Sequence, residues 1–288
     1  MLAVSELKVL LKAHNLRLTK RLGQHHLVDA RAIERIVEAC ALTPEDRVID
    51  IGAGLGALTE PLARRAGRVV AVEVDRGICA LLAQRMRPFP NVRVECRDIL
   101  AFTAQELRGA VAVGAIPYHI TSQILVWLSE ARRALRKIVL VVQREVAARL
   151  AAAPGTKAYG RLSILAQYGW QVRELFPISR SAFFPQPDVD SRCLALLPRS
   201  AAPVRVCDER AFFELVKAAF SQRRKTLANC LRGLVLVDGA GGSRVQPTQA
   251  ELAGALDQMR LKPSARGETL SLEQFASLTD LLLRPRRQ

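Results

Sequence analysis

A glycine-rich segment at residues 50–57 contains the residue types that let a ligand approach the protein backbone. The segment Asp50-Ile-Gly52-Ala-Gly54-Leu-Gly-Ala57 follows a short apolar run and precedes a helical pattern. Glycines at such a turn open the carboxyl edge of a parallel sheet to a ligand. Glu73 ends the next apolar run, 21 residues after Gly52, where an acidic side chain accepts hydrogen bonds from ribose hydroxyls. The spacing therefore predicts a nucleotide-like ligand.

The glycine pattern alone leaves other interpretations open. Gly52-x-Gly54-x-x-Ala57 also fits the dinucleotide fingerprint of an NAD-dependent dehydrogenase, or a tight turn without a ligand. Asp98, at the end of a third apolar run, adds a second carboxylate to the same predicted edge. An isolated acid there often caps a helix, but beside Glu73 it is well placed to accept from an adenine amino group.

The segment Gly114-Ala-Ile-Pro-Tyr118, after the fourth run, is similar to the Asn-x-Pro-aromatic motif of amino-group methyltransferases. Hydrogen-bond acceptors at an exocyclic amine localise its lone pair, and in-line attack on a sulfonium methyl can follow. A backbone carbonyl after Ala115 can supply one acceptor, while Tyr118 can stack on a flipped base. Phe183, at the start of a Pro-rich turn, is a candidate to close over the other face of the base; core packing is the simpler interpretation of both aromatics.

Alternating apolar runs and helical patterns predict the elements that position these residues. The predicted strands are Val48–Ile51, Val69–Val74, Val92–Cys96, Ala110–Val113 and Lys137–Val142. Continuous apolar runs of this length are typical of strands buried on both faces, so we expect an α/β fold with a parallel sheet covered by helices. Two later runs, 172–178 and 193–197, are expected to pair as an antiparallel edge.

The composition changes after Pro198, which predicts two domains. Residues 1–198 are expected to form the ligand-binding domain, with a basic N-terminal arm over residues 1–28. Residues 199–288 are expected to form a small helical domain, with helices over 209–236, 248–259 and 271–283. Thr248 and Glu251 have the spacing of a capping box.

The charge balance predicts a polyanionic partner. Lys and Arg number 43 against 27 Asp and Glu, giving a net charge of +16. Nucleic acid is the leading candidate, because cationic side chains release condensed counterions from phosphates. The apolar runs are too short to span a bilayer, so we expect no membrane association and a cytoplasmic location. The six cysteines form no Cys-x-x-Cys pair, so we expect reduced core residues and neither a metal site nor a disulfide framework.

Taken together, the motifs resemble one family, the bacterial small-subunit ribosomal RNA adenine N6,N6-dimethyltransferases (the KsgA family). The resemblance covers nearly the whole chain and lies in Lys20–Gln24, Asp50–Thr59, Glu73–Asp75, Gln143–Val146, Lys157–Ser163, Phe183–Ser191 and Phe220–Leu227. It implies a class I methyltransferase Rossmann-like fold with a mostly parallel seven-stranded sheet. It also implies S-adenosylmethionine as the cofactor, without a metal.

The resemblance assigns roles to residues of this chain. The implied cofactor-binding residues are Gln24, His25, Leu27, Gly52, Gly54, Glu73, Asp98 and Ala115. The implied catalytic residues are Ala115, Ile116, Pro117, Tyr118 and Phe183. The candidate RNA contacts are Lys20, Arg21, Arg223, Arg224 and Lys225, although a run of charges is often only a solvated face. The implied substrate is a pair of adjacent adenines near the 3′ end of 16S rRNA in the immature small subunit, and we expect a monomer.

Two departures from the family pattern leave alternative functions open. This chain has His25-His26 where the family usually has Asn-Phe, and Ala115 where it has Asn. A weak or inactive RNA-binding assembly factor is therefore one alternative. Another is the large-subunit rRNA adenine methyltransferase that confers macrolide resistance, against which the segment Lys157–Ser163 argues. A dehydrogenase gives no role to the 115–118 loop or to the net charge.

Overall fold

The computed structural model describes residues 3–16, 25–117, 120–222, 224–237 and 244–283. The chain forms two compact units. The first comprises Met1–Ala147 with Trp170–Pro198, and the second comprises Ala148–Gly169 with Arg199–Gln288. A division at residue 198 does not separate them, because the segment 148–169 precedes that position and belongs with the later helices.

A seven-stranded sheet forms the centre of the first unit. Its strands are β2 (Arg47–Ile51), β3 (Arg68–Glu73), β4 (Val92–Cys96), β5 (Val111–Ala115), β6 (Lys137–Gln143), β7 (Trp170–Ile178) and β9 (Ser191–Pro198). The order is β4-β3-β2-β5-β6-β9-β7, with β9 antiparallel to both its neighbours and the other pairs parallel. The prediction of a mostly parallel sheet with an antiparallel edge pair is confirmed.

The sheet order places the functional turns at one edge. The chain leaves β2 toward β3 and β4 on one side, and returns to β5 and β6 on the other. The carboxyl ends of β2, β3, β4 and β5 therefore surround a topological switch point, where open α/β sheets bind ligands. The central strands are apolar on both faces, and Val48, Ile49 and Val111 are fully buried.

Helices accompany the strands of the first unit. They are α1 (Val4–Ala13), α2 (Ala30–Cys40), α3 (Thr59–Ala63), α4 (Arg76–Met86), α5 (Ala104–Leu107) and α6 (Thr121–Glu130). Helix α7 (Arg144–Leu150) begins in the first unit and ends in the second. Asp29 caps α2, accepting the Ala32 N–H at 2.8 Å. Helix α1 lies within the segment predicted only as a basic arm; it forms because Leu7 and Leu11, one turn apart, are buried against other apolar side chains.

A two-stranded ladder supports the segment that contains His25 and His26. Strand β1 (His26–Leu27) pairs antiparallel with β8 (Phe183–Phe184), so that Leu27 lies opposite Phe183. Both side chains are buried in the core of the first unit.

The second unit is helical. It contains α8 (Arg161–Gly169), α9 (Glu209–Ala219), α10 (Leu227–Cys230), α11 (Gln249–Gln258) and α12 (Leu272–Leu283), with a short pair of strands, β10 (Leu236–Val237) and β11 (Arg244–Val245). The predicted continuous helix over 209–236 is wrong, because Thr226 caps a new helix by accepting the Asn229 N–H. The capping box of Thr248 and Glu251 is confirmed.

The core of the second unit joins its two chain segments. The Tyr168 ring lies 5.1 Å from that of Phe212, and the Tyr159 hydroxyl donates to the Leu270 carbonyl oxygen at 2.9 Å. Phe212 and Phe275 are fully buried. Over the part of the chain that the structure describes, no helix has the length and apolar character to cross a membrane.

The cysteines do not all follow the expectation of reduced core residues. Cys40 and Cys193 are free and buried, whereas Cys207 is exposed. Cys79 and Cys96 form a disulfide between α4 and β4. Cys96 lies opposite Glu73 in the sheet, and the chain turns from Glu73 directly into α4, which brings Cys79 alongside. Sheet pairing of this kind has no Cys-x-x-Cys signature, so the sequence did not indicate it.

Candidate active site

The glycine turn after β2 forms one wall of the site. Gly52 and Gly54 have φ values of 68° and 56°, which side chains other than glycine rarely adopt. The N–H groups of Gly52 and Ala53 donate to the Val72 carbonyl oxygen at 2.9 and 3.0 Å. A Cβ atom on Gly54 would lie only 2.7 Å from the His26 ring. Glycine at 54 therefore lets the imidazole pack directly on the turn.

Glu73 is held at the end of β3 by three backbone N–H groups. Its Oε2 accepts from Gly54 at 3.0 Å, and its Oε1 accepts from Val74 at 2.9 Å and from Asp75 at 3.1 Å. Both side-chain oxygens of Glu73 therefore act as hydrogen-bond acceptors. The side chain is therefore fixed as an acceptor at the predicted place.

Asp98 combines the two roles that its position allowed. Its Oδ1 accepts the Leu100 N–H at 2.9 Å and caps a short 3-10 helix, Ile99–Ala101. The same residue lines the cavity that Glu73 lines. A carboxylate has two oxygens, so capping through one leaves the other to accept from a ligand.

The loop after β5 lies against the glycine turn, since a Cβ atom on Gly52 would be 3.5 Å from Cδ of Pro117. Ala115 is half-buried and ends β5, and Pro117 lies two residues further along. Gly114 is required for close packing, since a Cβ there would lie 2.4 Å from the Ile51 carbonyl oxygen. Ala115 contributes no polar side-chain atom, so any acceptor that it offers is its backbone oxygen.

These walls enclose a cavity of about 380 Å³. Of the predicted site residues, the cavity is lined by His25, Gly52, Gly54, Glu73, Asp98, Ala115 and Pro117. Leu27, Ile116 and Phe183 are instead buried in the protein core, at 4%, 1% and 5% exposure. Gln24, Tyr118, Lys20, Arg21 and Arg223 lie outside the described residues.

Several apolar lining residues were not singled out in the sequence. They are Ile51, Val72, Val74, Ile78, Ile99, Ile120 and Ile124. Val74 is 67% exposed although it is apolar, and it directly follows Glu73. Each predicted carboxylate is followed by an apolar residue, Val74 after Glu73 and Ile99 after Asp98. This pattern could have predicted apolar contacts for a flat ligand.

The two histidines lie beside this cavity. The His25 Nδ1 is 2.6 Å from the Pro185 carbonyl oxygen. Burial, with a smaller contribution from His25, lowers the pKa of His26 to about 4, so its ring is neutral at pH 7. The His26 Nε2 is buried and makes no hydrogen bond to any described residue. Since buried polar atoms normally have a partner, this nitrogen is available to a ligand in the cavity.

A buried acid behind the glycine turn escaped the sequence analysis as a separate feature. Asp50 is 1% exposed, and its Oδ2 accepts from the Thr59 hydroxyl at 2.6 Å. Burial raises the pKa of Asp50 to about 7, the Thr59 hydrogen bond lowers it, and the charge of Glu73 raises it. The pair ties the end of β2 to the start of α3 and so fixes the turn between them.

The candidate RNA-binding residues of the second unit are at its surface. Arg224 and Lys225 are exposed and immediately precede Thr226, the cap of α10. No group of three or more His, Cys, Asp or Glu side chains in the described ranges is arranged to hold a metal ion.

The mostly parallel seven-stranded sheet, with a glycine turn and two acidic strand ends around one cavity, defines an α/β methyltransferase fold. The family model "Ribosomal RNA adenine dimethylase" matches residues 15–278. The chain belongs to this family of methyltransferases.

Relatives of this chain are similar over nearly their full length. The chain is 40% identical over 283 residues to the Ribosomal RNA small subunit methyltransferase A of Geobacillus kaustophilus, covering 96% of this chain and 94% of the relative. It is 41% identical over 283 residues to the protein of the same name from Streptococcus pneumoniae, with 96% and 95% covered.

Two solved structures resemble the fold. A dimethyladenosine transferase from Plasmodium falciparum has a TM-score of 0.71 at 24% identity, covering 88% of this chain and 95% of that one. The 23S rRNA methyltransferase ErmE has a TM-score of 0.63 at 27% identity, with 89% and 98% covered.

Proposed function

We propose that this protein transfers methyl groups from S-adenosylmethionine to the N6 amino groups of two adjacent adenines near the 3′ end of 16S rRNA. The observation that carries the proposal is that Glu73, Asp98 and the Ala115–Pro117 loop line one cavity. Residues suited to hold a nucleoside cofactor are therefore next to a loop suited to orient an amine. The full-length similarity to small-subunit methyltransferases supports this substrate over large-subunit rRNA.

The residues around the cavity fit S-adenosylmethionine. Glu73, fixed by three backbone N–H groups, accepts from the ribose hydroxyls, and Asp98 accepts from the adenine amino group. Val74 and Ile99 supply apolar contacts for the purine. The positive-φ glycines let the cofactor lie against the backbone. When bound, the cofactor supplies an electrophilic methyl group on a positively charged sulfur.

The methionine end of the cofactor is assigned to the side of the cavity that His25 and His26 line. The unpartnered Nε2 of His26 gives one polar contact there, and the neutral ring adds no charge. In this arrangement His26 takes over a place that the family usually fills with an apolar ring, while His25 replaces an amide.

The acceptor adenine is oriented by the loop after β5. A backbone carbonyl after Ala115 accepts one N–H bond of the amine, Pro117 restricts the loop, and Tyr118 is expected to stack on the base. Because Phe183 is buried opposite Leu27, its proposed contribution is to order the β1 segment beside the cavity. The site that holds the amine lacks the side-chain oxygen that Asn gives at position 115 in the family.

Binding of RNA is assigned to basic side chains outside the cavity. Lys20 and Arg21 of the N-terminal arm and Arg223, Arg224 and Lys225 of the second unit are proposed as phosphate contacts. The second unit is proposed to dock on the immature small subunit during ribosome biogenesis. We expect the protein to act as a monomer in the cytoplasm.

Transfer of labelled methyl groups to unmethylated small subunits tests the proposal. Nucleosides from the product RNA are separated, and label in dimethyladenosine is expected, with much less at limiting cofactor when Glu73→Ala replaces the wild type. Label in monomethyladenosine alone would reduce the proposal to a monomethyltransferase. Binding of the subunits without any transfer would support the assembly factor, for which Ala115 is the favouring observation.

A further inference from the structure

Four arginines line a second cavity, of about 270 Å³, on the part of the sheet formed by β2, β3 and β4. These residues, here called the arginine cluster, are Arg47, Arg68, Arg93 and Arg97. The other lining residues are Val70, Glu95, Phe102 and Glu106. Arg97 lines both cavities, whereas Glu73 and the glycine turn line only the first. The residues assigned to methyl transfer therefore do not account for the second cavity.

The register of the sheet brings the arginine cluster together. Arg47 of β2 lies opposite Arg68 of β3, and Arg93 of β4 lies opposite Val70. Arg93 and Glu95 alternate along β4 and so point to one face, and Arg97 directly follows the last residue of β4. Like charges directly opposite each other in a sheet are destabilising, which means that the fold itself does not benefit from the Arg47 and Arg68 pair.

The positive charge of the cluster is only half neutralised. Arg93 pairs with Glu95 at 2.6 Å, and Arg97 pairs with Glu106. Arg47 and Arg68 form no ion pair with any described residue. Burial and, after it, the charge of Arg68 lower the pKa of Arg47, while the charge of Glu106 opposes that shift without forming an ion pair. Two guanidinium groups without an ion pair therefore lie side by side on β2 and β3.

Two nitrogen atoms of the cluster also lack hydrogen-bond partners. The Nε atoms of Arg47 and Arg97 are buried and are bonded to no acceptor within the described residues. A buried donor without an acceptor carries a desolvation cost that an acceptor-rich ligand removes. The excess positive charge and the donors without acceptors both favour a small anion with several acceptor oxygens.

We propose that the arginine cluster binds a phosphate group. Guanidinium groups match phosphate oxygens in pairs of parallel hydrogen bonds, and a phosphate offers more acceptors than a carboxylate. The phosphate is either part of the RNA backbone, a source that rests on the proposed function, or part of a small phosphorylated molecule. The site itself depends only on the charges and unpaired donors of the cluster.

Thermal unfolding at low salt, with and without inorganic pyrophosphate, tests the site. Pyrophosphate should raise the Tm of the wild type, because a ligand that binds only the native state stabilises it. Arg68→Ala should lose most of that rise, and Arg68→Lys should keep part of it. Arg87→Ala, an exposed arginine outside the cavity, is the matched control and should respond like the wild type. Sodium chloride at equal ionic strength controls for screening.

The proposal also predicts the Tm of the Arg68 variant when no pyrophosphate is added. Arg68→Ala removes a like charge opposite Arg47, so its Tm should equal or exceed that of the wild type. A purely structural role for Arg68 predicts the reverse, a lower Tm that pyrophosphate shifts as much as it shifts the wild type. That result, or equal pyrophosphate responses in all variants, would overturn the proposal.

Binding of a short oligoadenylate RNA, followed by fluorescence anisotropy at several salt concentrations, identifies the source of the phosphate. An RNA phosphate predicts that Arg68→Ala lowers affinity about tenfold and reduces the slope of log affinity against log salt by about 0.7, while Arg87→Ala changes neither. If Arg68→Ala binds RNA as the wild type does but has lost the rise in Tm with pyrophosphate, the phosphate belongs to a small molecule instead. If the wild type responds to pyrophosphate but methylates no RNA, the proposed function fails and the phosphate site stands.

Discussion

The Oε2 atom of Glu73 lies 3.0 Å from the backbone nitrogen of Gly54. The acidic end of β3 thus holds the glycine turn that follows the neighbouring strand. One side chain therefore both shapes the turn and presents the carboxylate that we assign to the ribose. Removing it should affect the cofactor site twice, through a lost acceptor and through a loosened turn.

Glu73→Ala should weaken S-adenosylmethionine binding at least tenfold, and Glu73→Gln should weaken it less, because the amide retains one acceptor oxygen. Isothermal calorimetry measures both, with Glu38→Ala, an exposed acid outside the cavity, as the control. RNA affinity should remain nearly unchanged in all three. Wild-type cofactor affinity in Glu73→Ala would remove this residue from the site.

Asp98→Asn separates the two roles of Asp98. Asparagine still caps the following 3-10 helix, so the Tm should change little. Its side-chain amide is less favourable toward an adenine amino group than a carboxylate is, so cofactor affinity should fall several-fold. Asp98→Ala should lower both quantities. If Asp98→Asn binds the cofactor as the wild type does, the residue serves only as a cap.

Asp50 should make stability depend on pH. Burial raises its folded-state pKa to about 7 from 3.8, so the native state holds a proton that the unfolded state releases. The stabilisation is present below pH about 4 and is lost as the pH rises through about 7. Relative to Asp50→Asn, the wild-type free energy of unfolding should fall by up to about 1.4 kcal/mol per pH unit in that window. Denaturant unfolding at pH 4 to 8 measures this, and parallel curves would refute it.

Ala115→Asn should raise single-turnover methylation by one or more orders of magnitude. The new side-chain oxygen gives the adenine amine a second acceptor, and one transition-state contact is worth about 10²–10³ in rate. Cofactor affinity should change much less. Ala115→Leu, which adds bulk without an acceptor, is the control. A wild type that already turns over as fast as Ala115→Asn would show that this side chain does not matter.

The absence of product from Ala115→Asn would indicate that His25 and His26 limit activity. If neither the wild type nor Ala115→Asn gives product, the triple variant with His25→Asn and His26→Phe should restore transfer. Activity in the triple variant alone would show that the two rings misplace the cofactor.

RNA affinity should fall linearly with salt on logarithmic axes, with a slope of about 0.7–0.9 per phosphate neutralised. Arg224→Ala should reduce the slope by about one such unit. Arg205→Ala, an exposed arginine elsewhere in the second unit, should leave it unchanged. An affinity that is independent of salt would mean that the net charge of +16 has another role.

The sequence predicted the site residues that depend on strand ends. Gly52, Glu73, Asp98 and Ala115 each lie at or just after the end of a predicted strand, and parallel strands bring such positions to one edge. The placement of Phe183 depends instead on the two-residue ladder of β1 and β8. Strands so far apart in the sequence leave no local pattern that predicts their pairing. The sequence therefore suggested Phe183 for the site, whereas its side chain is buried in the core.

Features that depend on lateral register were also missed. The Cys79–Cys96 disulfide and the arginine cluster arise because β3 and β4 are neighbours with one specific alignment. Propensity and periodicity identify strands, but they do not specify which residues lie opposite each other. The break in the predicted 209–236 helix has a local cause, the cap at Thr226, which the apolar periodicity on both sides obscured.

The chain passes between its two units three times, after residues 147, 169 and 198, and this sets an order of events during synthesis. Strands β2 to β6 are complete once residue 143 has left the ribosome, and the sheet gains its last partners by residue 198. Helix α8 has emerged by residue 169, yet Tyr168 packs on Phe212, which is translated later. A nascent chain that stops at residue 198 therefore carries a finished sheet and a helix whose apolar side chains have no core, a state that favours retention by chaperones or proteolysis.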